Sequence, residues 1–468
     1  MGKQPHHIKS IAGMIGVSTI ILFIASSLRH GLFQSTALDL AVFDQWIYLV
    51  SQGLPPFSSF FGFHVLGDHA AFILYAIALL YKIHPDVHWL FAIQAIALAL
   101  GVLPIYALSL QAGLSVAYAQ ATCLCYLLYP ALFNINFFTD FRPEAIAVPA
   151  LLWAMWSGIA GRTWQLILAV ILVLSCKEIL SLTIVALGIW LWLVPRRRWY
   201  GLGCIFVGVV WYLFTIDYLV PLLRGGQAGG VVFFKSLGNT PTEILWNVIT
   251  NPGLILGKFF STDTLFYYLL LVLPVILGLH WRKAINILPS VPMLLLNILS
   301  DYWAQRDLIH HYSLMIFPLI MVWLIYSIRQ YQQEKKRNWL QPRILIIWSI
   351  IAFLVLAKYE FFITRYLTSV PNLSSLYTAV SLVKTSESVL TTTKIAPHLS
   401  QRQTIKLIDN EQSASFADAN IAFKYILIDL LNLETKSNFY PRVIQELQNN
   451  PAFRLAYHQN QVYLFIKQ

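Results

Sequence analysis

Asp39 and Asp44 lie five residues apart in Asp39-Leu-Ala-Val-Phe-Asp44-Gln45-Trp-Ile-Tyr48. Paired carboxylates are the residue type that general acid–base chemistry uses. Helical neighbours stand three or four residues apart, so Asp44 and Tyr48 share a face that Asp39 does not. Leu40, Phe43 and Ile47 give the stretch an apolar stripe, the pattern of an interfacial helix that carries its acids above a bilayer. The plainer alternative is two solvated carboxylates. Further on, Phe63-His64-Val-Leu-Gly67-Asp68-His69 gathers two imidazoles and a carboxylate within six residues. His64, Asp68 and His69 are donors suited to a divalent metal, with helix capping as the alternative.

Three later segments carry charge in apolar surroundings. Asp140-Phe-Arg142-Pro143-Glu144 reads as a helix start at Pro143 and Glu144, which leaves Asp140 and Arg142 to face a cavity. Cys176-Lys177-Glu178 interrupts what would otherwise be about 30 apolar residues. Such a residue is costly unless paired or facing water, so Lys177 is a candidate anion ligand, with snorkelling as its alternative. Finally, Asp301-Tyr-Trp-Ala-Gln-Arg306-Asp-Leu-Ile-His310-His311-Tyr312 offers Arg306, His310 and His311 to phosphate oxygens, with Tyr312 beside them.

The elements that must position these groups are apolar helices. Of 468 residues, 58% are hydrophobic and 11% charged, against about 25% charged in soluble domains. That excludes a soluble enzyme, a disordered chain and a disulfide-stapled secreted domain, and marks an integral membrane protein. The formal charge of +11 fits cationic cytoplasmic loops better than nucleic-acid binding. The four cysteines, Cys123, Cys125, Cys176 and Cys204, form no C-x-x-C pair and read as core residues.

About eleven apolar runs have spanning length, at 11–28, 91–109, 116–132, 144–160, 164–175, 178–194, 201–222, 265–280, 284–300, 312–328 and 343–362. A further run, 70–83, has about 14 residues and is expected at the interface instead. With it excluded, the loops near 1–10, 109–116, 161–165, 195–199, 280–284 and 329–343 share one side. They carry about 13 Lys and Arg in roughly 48 residues, against about 8 in roughly 131 on the other side. The positive-inside rule then puts the N-terminus in the cytoplasm and every candidate site residue outside. From about 363 the pattern changes: strands at 388–393, 404–408 and 424–428, short helices near 397–399 and 440–449, and a closing hairpin through 453–457 and 461–466. The expected organisation is a transmembrane domain over 1–362 and an exoplasmic α/β domain over 363–468.

Asp44-Gln45-Trp-Ile-Tyr48 resembles the Asp-[acid or amide]-x-x-Tyr motif of polytopic C-type (GT-C) glycosyltransferases. Lys177 is similar to their Leu-Thr-Lys-Gly turn, and His311-Tyr312 before Pro318 to their Arg-Tyr…Pro segment. Leu38–Tyr48, Phe63–Ala71, Asp140–Pro149 and Ser175–Ser181 resemble a bacterial family of predicted membrane proteins, domain of unknown function 2079. Gln45 replaces the commoner acid, Glu178 a glycine and His311 an arginine. The resemblance implies transfer of a sugar from a polyprenyl-phosphate carrier to a glycan, lipid or protein acceptor at the outer face of a bacterial plasma membrane. Asp44 would be the base, Asp39 or Asp140 the second carboxylate, and Lys177, Arg306, His310 and His311 the phosphate ligands. Tyr48, Arg142 and Tyr312 would contact substrate; a divalent metal is the one cofactor the residues suggest. Two other readings are a transporter and a non-catalytic assembly protein. The crowding of acids on one side favours surface chemistry over transport, which would place them near the midplane.

Overall fold

The computed structural model describes residues 4–226, 229–408, 423–431 and 439–468, so Lys3 of the charge count lies outside the described residues. All eleven expected apolar runs fall on helical segments. Among the described residues six helices are long and apolar enough to cross a membrane: Ile8–Gly31, His88–Gln111, Val116–Phe138, Arg198–Arg224, His311–Gln333 and Pro342–Ser381. A seventh crossing would join Pro252–Phe259 to Thr262–Gly278 across a 48° bend. The count falls short of eleven for a local reason. Helices Thr163–Cys176 and Leu180–Leu193 stop on either side of Lys177, and 14 residues rise only about 21 Å. Helix Ile73–Ile83, in the run expected at the interface, has 11 residues and rises about 16 Å, half a hydrocarbon core.

The buried core is one continuous cluster running from Ile11 and Leu22 through the helices of 95–191 to those of 267–345. Its outside is as apolar as its inside: Val17, Ile20, Ile21 and Ile24 on the first helix, and Trp199 and Phe206 on the fourth long one, are exposed. Such a surface is stable only against lipid. Where two helices must approach closely, glycines face each other. A Cβ on Gly188 would come within 2.6 Å of the Gly201 carbonyl oxygen, and one on Gly201 within 2.6 Å of that of Gly188. Small residues at helix interfaces of this kind replace the missing hydrophobic drive inside a membrane.

The basic loops gather at one end. Arg329 donates to the Gly113 carbonyl, Arg197 to that of Ile159, and Arg282 pairs with Glu334 at 3.8 Å. Helix His311–Gln333 runs from the opposite end, where the candidate site residues collect, down to this one.

The C-terminal strands fall where the pattern put them: β3 (Val389–Thr391), β4 (Ile405–Leu407), β5 (Tyr425–Asp429), β6 (Phe453–Gln459) and β7 (Val462–Lys467), following a small hairpin β1 (Phe57–Ser58) and β2 (Phe63–His64). Their order is β4-β3-β5-β7-β6, with β3 parallel to β4 and β5 and β7 antiparallel to its neighbours. Helix Phe439–Asn449 covers one face through Val443, Ile444 and Leu447. The other face packs on Phe33, Ala37 and Ala41, so the sheet is built against the loop that carries Asp39 and Asp44.

Candidate active site

That loop is not the bilayer-lying helix expected of it. A π-helical turn, Ala37–Ala41, leads into helix Val42–Ser51, and Trp46, Ile47 and Gln45 are fully buried between the sheet and helix Ile73–Ile83. The π turn inserts extra backbone into the helix, a feature found mostly at functional sites, and it rotates Asp39 away from Asp44.

Asp44 is turned inward and 1% exposed. Tyr81 Oη donates to its Oδ1 at 2.7 Å, Gln401 Nε2 to the same oxygen at 3.3 Å, and Ser400 Oγ to Oδ2 at 2.6 Å. Burial raises its carboxyl above the usual range, against the opposing pull of these hydrogen bonds. Tyr48 is half-buried on the same apolar cluster as Phe43 and Ile47. Asp140 is also fully buried, with Ser35 Oγ at 2.8 Å and Arg29 Nη2 at 3.6 Å. Burial raises its carboxyl too, partly offset by Arg29.

Asp39 lies in different company. It forms an ion pair with Arg142, accepts from Thr36 Oγ1 at 2.9 Å, and keeps 21% of its side chain exposed. Arg142 stacks over Phe43 at 5.8 Å, and its Nε is buried with no hydrogen-bond partner in the described residues. Next to it, Lys177 Nζ meets Glu144 Oε1 at 2.6 Å. Burial alone would make both cations weaker, but Asp39 and Glu144 beside Arg142, and Glu144 and Glu178 beside Lys177, outweigh it and hold both firmly charged. Glu178 accepts from the Ala70 N–H at 3.1 Å and contacts His69 Nδ1 at 3.2 Å. Asp68 completes the row against Arg224 at 3.3 Å. His311 and Tyr312 lie within electrostatic reach of Arg142 and Lys177. Five separate loops therefore bring alternating charges into one cluster, the candidate wall of a substrate chamber.

Other expected members sit apart. His64 caps its own turn by accepting from the Leu66 N–H at 3.1 Å, while His69 and Asp68 turn to Glu178 and Arg224. Among the described residues no three His, Cys, Asp or Glu side chains form a metal-holding group, so the expected His64–Asp68–His69 set is not assembled. His64 stands at the N-cap of a single 3-10 turn, Val65–Gly67, and Gly67 packs directly against the backbone of the Arg224 segment. A Cβ there would meet the Arg224 nitrogen at 2.8 Å. Arg306 donates to the carbonyls of Asn297 and Ser300 and lines a cavity of about 460 Å³ with Lys258 and Asp301. Asp301 is taken by Lys258 at 2.7 Å and by Ser236. His310 Nδ1 contacts Asp307 Oδ2 at 2.7 Å. Glu144, read from its position as a helix-start residue, turns out to be the partner of Lys177; Pro143 beside Arg142 was its only signal. Arg224, Ser400 and Gln401 carried none.

Residues 29–464 match the model of a family described as predicted membrane proteins, DUF2079. The chain belongs to that family. No curated protein matches it. Among solved structures it is similar to ArnT from Cupriavidus metallidurans bound to undecaprenyl phosphate, with a TM-score of 0.51 and 11% identity over 97% of each chain. The apo form of that protein aligns at 0.45 and 11% identity over 95% of this chain and 97% of that one. An Archaeoglobus fulgidus oligosaccharyltransferase tethered to an acceptor peptide aligns at 0.42 and 13% identity, over 91% of this chain and 69% of that one. The first likeness shows the fold: this DUF2079 chain is a multi-pass membrane protein with the architecture of C-type glycosyltransferases and a small C-terminal sheet region.

Proposed function

We propose that this protein transfers a sugar from a polyprenyl-phosphate-linked donor to a glycan, lipid or protein acceptor at the exoplasmic face of the plasma membrane. The observation that carries the reading is the meeting of Arg142, Lys177 and the part-exposed Asp39 at the end of a C-type bundle opposite its basic loops. That ArnT was solved with undecaprenyl phosphate supports the donor class. The positive-inside rule supports the outer face.

In this reading Arg142 and Lys177 exchange part of their carboxylate contacts for the donor phosphate. Arg142 has a buried Nε–H ready for an oxygen. As the sugar–phosphate bond breaks, negative charge grows on the departing phosphate, and fixed cations in a water-poor chamber stabilise it far better than water does. Asp39 faces the opposite charge, the cationic sugar carbon of the transition state. Asp44, with both oxygens already occupied, secures the C-terminal sheet to the bundle.

The experiment uses the purified full-length protein with a panel of undecaprenyl-phosphate hexoses and pentoses, reading release of undecaprenyl phosphate by mass spectrometry. Release with at least one donor, reduced about 100-fold or more in Asp39→Asn, is expected. No release with any donor sinks the reading, and flipping of the intact donor across vesicles without release would establish transport instead.

A further inference from the structure

The chamber holds many acids, yet each of its carboxylates is occupied. Asp39 faces Arg142, Glu144 faces Lys177, Glu178 takes His69 and the Ala70 N–H, and Asp140 faces Arg29 and Ser35. A carboxylate held by a guanidinium or ammonium is a poor proton acceptor, because protonating it breaks the pair. The carboxylates that face Arg142 and Lys177 therefore bind and polarise, and are poor receivers of the acceptor proton.

We infer that His310, oriented by Asp307, receives that proton. The assignment rests on the glycosyl-transfer reading. Asp307 is locked by its own turn: its Oδ1 accepts from the N–H groups of Ile309 and His310 at 2.8 and 2.9 Å, leaving Oδ2 for His310 Nδ1 at 2.7 Å. Phe138 and Trp303 stand edge-on to the imidazole, with centroids at 4.6 and 5.7 Å, and fix its plane. A carboxylate on Nδ1 places the ring proton there and turns Nε2 into the basic lone pair. Within the described residues Nε2 has no hydrogen-bond partner, and it is not among the buried polar atoms left unpaired, so it is open to a ligand. Tyr302, two rings away through Trp303, lies within electrostatic reach of both Asp307 and Asp39 and links the pair to the site. His311, one residue on, is the wrong group. It faces Arg142 and Lys177, where a further positive charge is resisted, while His310 Nδ1 contacts the Asp307 carboxylate at 2.7 Å.

The step balances on these residues. The acceptor hydroxyl gives its proton to His310 Nε2 as its oxygen bonds to the anomeric carbon. The bond from that carbon to the phosphate oxygen breaks, and its electron pair leaves with the polyprenyl phosphate held by Arg142 and Lys177. His310 ends the step as an imidazolium against Asp307 and returns the proton to water.

The test compares wild type, His310→Gln, His310→Ala, Asp307→Asn and Asp307→Glu in the same release assay, with undecaprenyl phosphate itself as the binding probe. His310→Gln is expected to slow release 10²- to 10³-fold with undecaprenyl phosphate affinity unchanged. Added imidazole should restore part of the rate in His310→Ala. Asp307→Asn should lower kcat about tenfold or more with KM for the donor unchanged, and Asp307→Glu should recover part of the rate. A structural role for Asp307 would reduce folded yield and leave the kcat of the folded fraction in place. If His310→Gln keeps more than half the rate, the inference is overturned while the transfer reading stands. If wild type releases no undecaprenyl phosphate, both fall.

Discussion

Asp39 and Asp44 sit on consecutive turns of one segment, yet one faces cations and keeps 21% of its side chain exposed, while the other faces neutral donors and is buried. The π turn at Ala37–Ala41 separates them by sending Asp39 toward the loops of 142 and 177 and leaving Asp44 to point at helix Ile73–Ile83 and the sheet. The energetics differ accordingly. Ion pairs at a chamber wall can be exchanged for a charged ligand of the same sign, because the cation stays satisfied. A carboxylate whose lone pairs take three neutral donors has no such exchange, and disturbing it strands the donors.

The sharpest way to break this contrast is to remove each charge in turn. Asp39→Asn should lower release of undecaprenyl phosphate about 100-fold with little change in thermal stability. Asp44→Asn should keep the rate within about tenfold, since an amide still accepts from Tyr81 and Ser400 can turn to the Pro397 carbonyl, 3.1 Å away. Equal losses of rate in the two variants would show that Asp44 belongs to the chemistry.

Asp44→Ala should reverse the order of effects. It leaves the Tyr81 hydroxyl and the Gln401 amide without their acceptor at the junction, while Ser400 keeps the Pro397 carbonyl, at a cost of about 3 kcal/mol. The loss is expected as a lower unfolding temperature and as early proteolysis between 382 and 389, where chain from the bundle enters the sheet. An unfolding temperature equal to that of wild type would mean that the sheet is not held through this carboxylate.

Much of this was legible from residue types. The apolar runs, the gathering of the basic loops and the strand positions of a small α/β unit follow from hydropathy and charge, because lipid and water enforce those patterns along the whole chain. Lys177 and Arg142 could be singled out because a charge amid apolar residues must have a partner or a ligand. Which carboxylate meets them could not. An α-helical spacing assigns Asp44 and Tyr48 to one face, and the π turn that repositions Asp39 has no marker in Ala37-Leu38-Asp39-Leu40-Ala41. The donors that bury Asp44, Ser400 and Gln401, lie more than 350 residues away, beyond the reach of any local pattern.

The same junction carries a pH signature of its own. His398 is buried flat between His30, at 4.0 Å, and Phe33, at 3.8 Å, with His88 also near. Burial lowers its imidazole to about 3 from an ordinary 6.5. The folded state therefore binds fewer protons than the unfolded chain between those values, and stability contributed by neutral His398 is lost as pH falls from 6.5 toward 3. Asp44 works in the other direction: its raised carboxyl contributes most in acid and less as pH rises through its folded pKa. Loosening of the sheet in acid, read by hydrogen exchange of β3 and β5, should weaken in His398→Phe, which keeps the stack without the proton. Unchanged acid loosening in that variant would assign the effect to other groups.

The smallest effect tests whether the junction is one unit or several. Gln45, adjacent to Asp44, donates to Ser59 Oγ at 2.7 Å and to the Arg402 carbonyl at 3.1 Å, and Ser59 Oγ in turn bridges to the Ile405 carbonyl at 2.7 Å and its N–H at 2.9 Å. This chain ties strand β4, the edge of the sheet, to the helix that carries Asp44. Removing it in Gln45→Ala should cost about 1 kcal/mol, because the Ser59 hydroxyl keeps its Ile405 partners and the loss falls on one amide and the Ser59 N–H it accepts from. In the double variant with Asp44→Ala, a loss smaller than the two single losses added together means that the sheet leaves the bundle as one body, with Asp44 and Gln45 sharing a single contact surface. Strict additivity would mean that β4 and the Ser400 turn hold on separately, and the neutral region beside the charged chamber would then be two anchors instead of one.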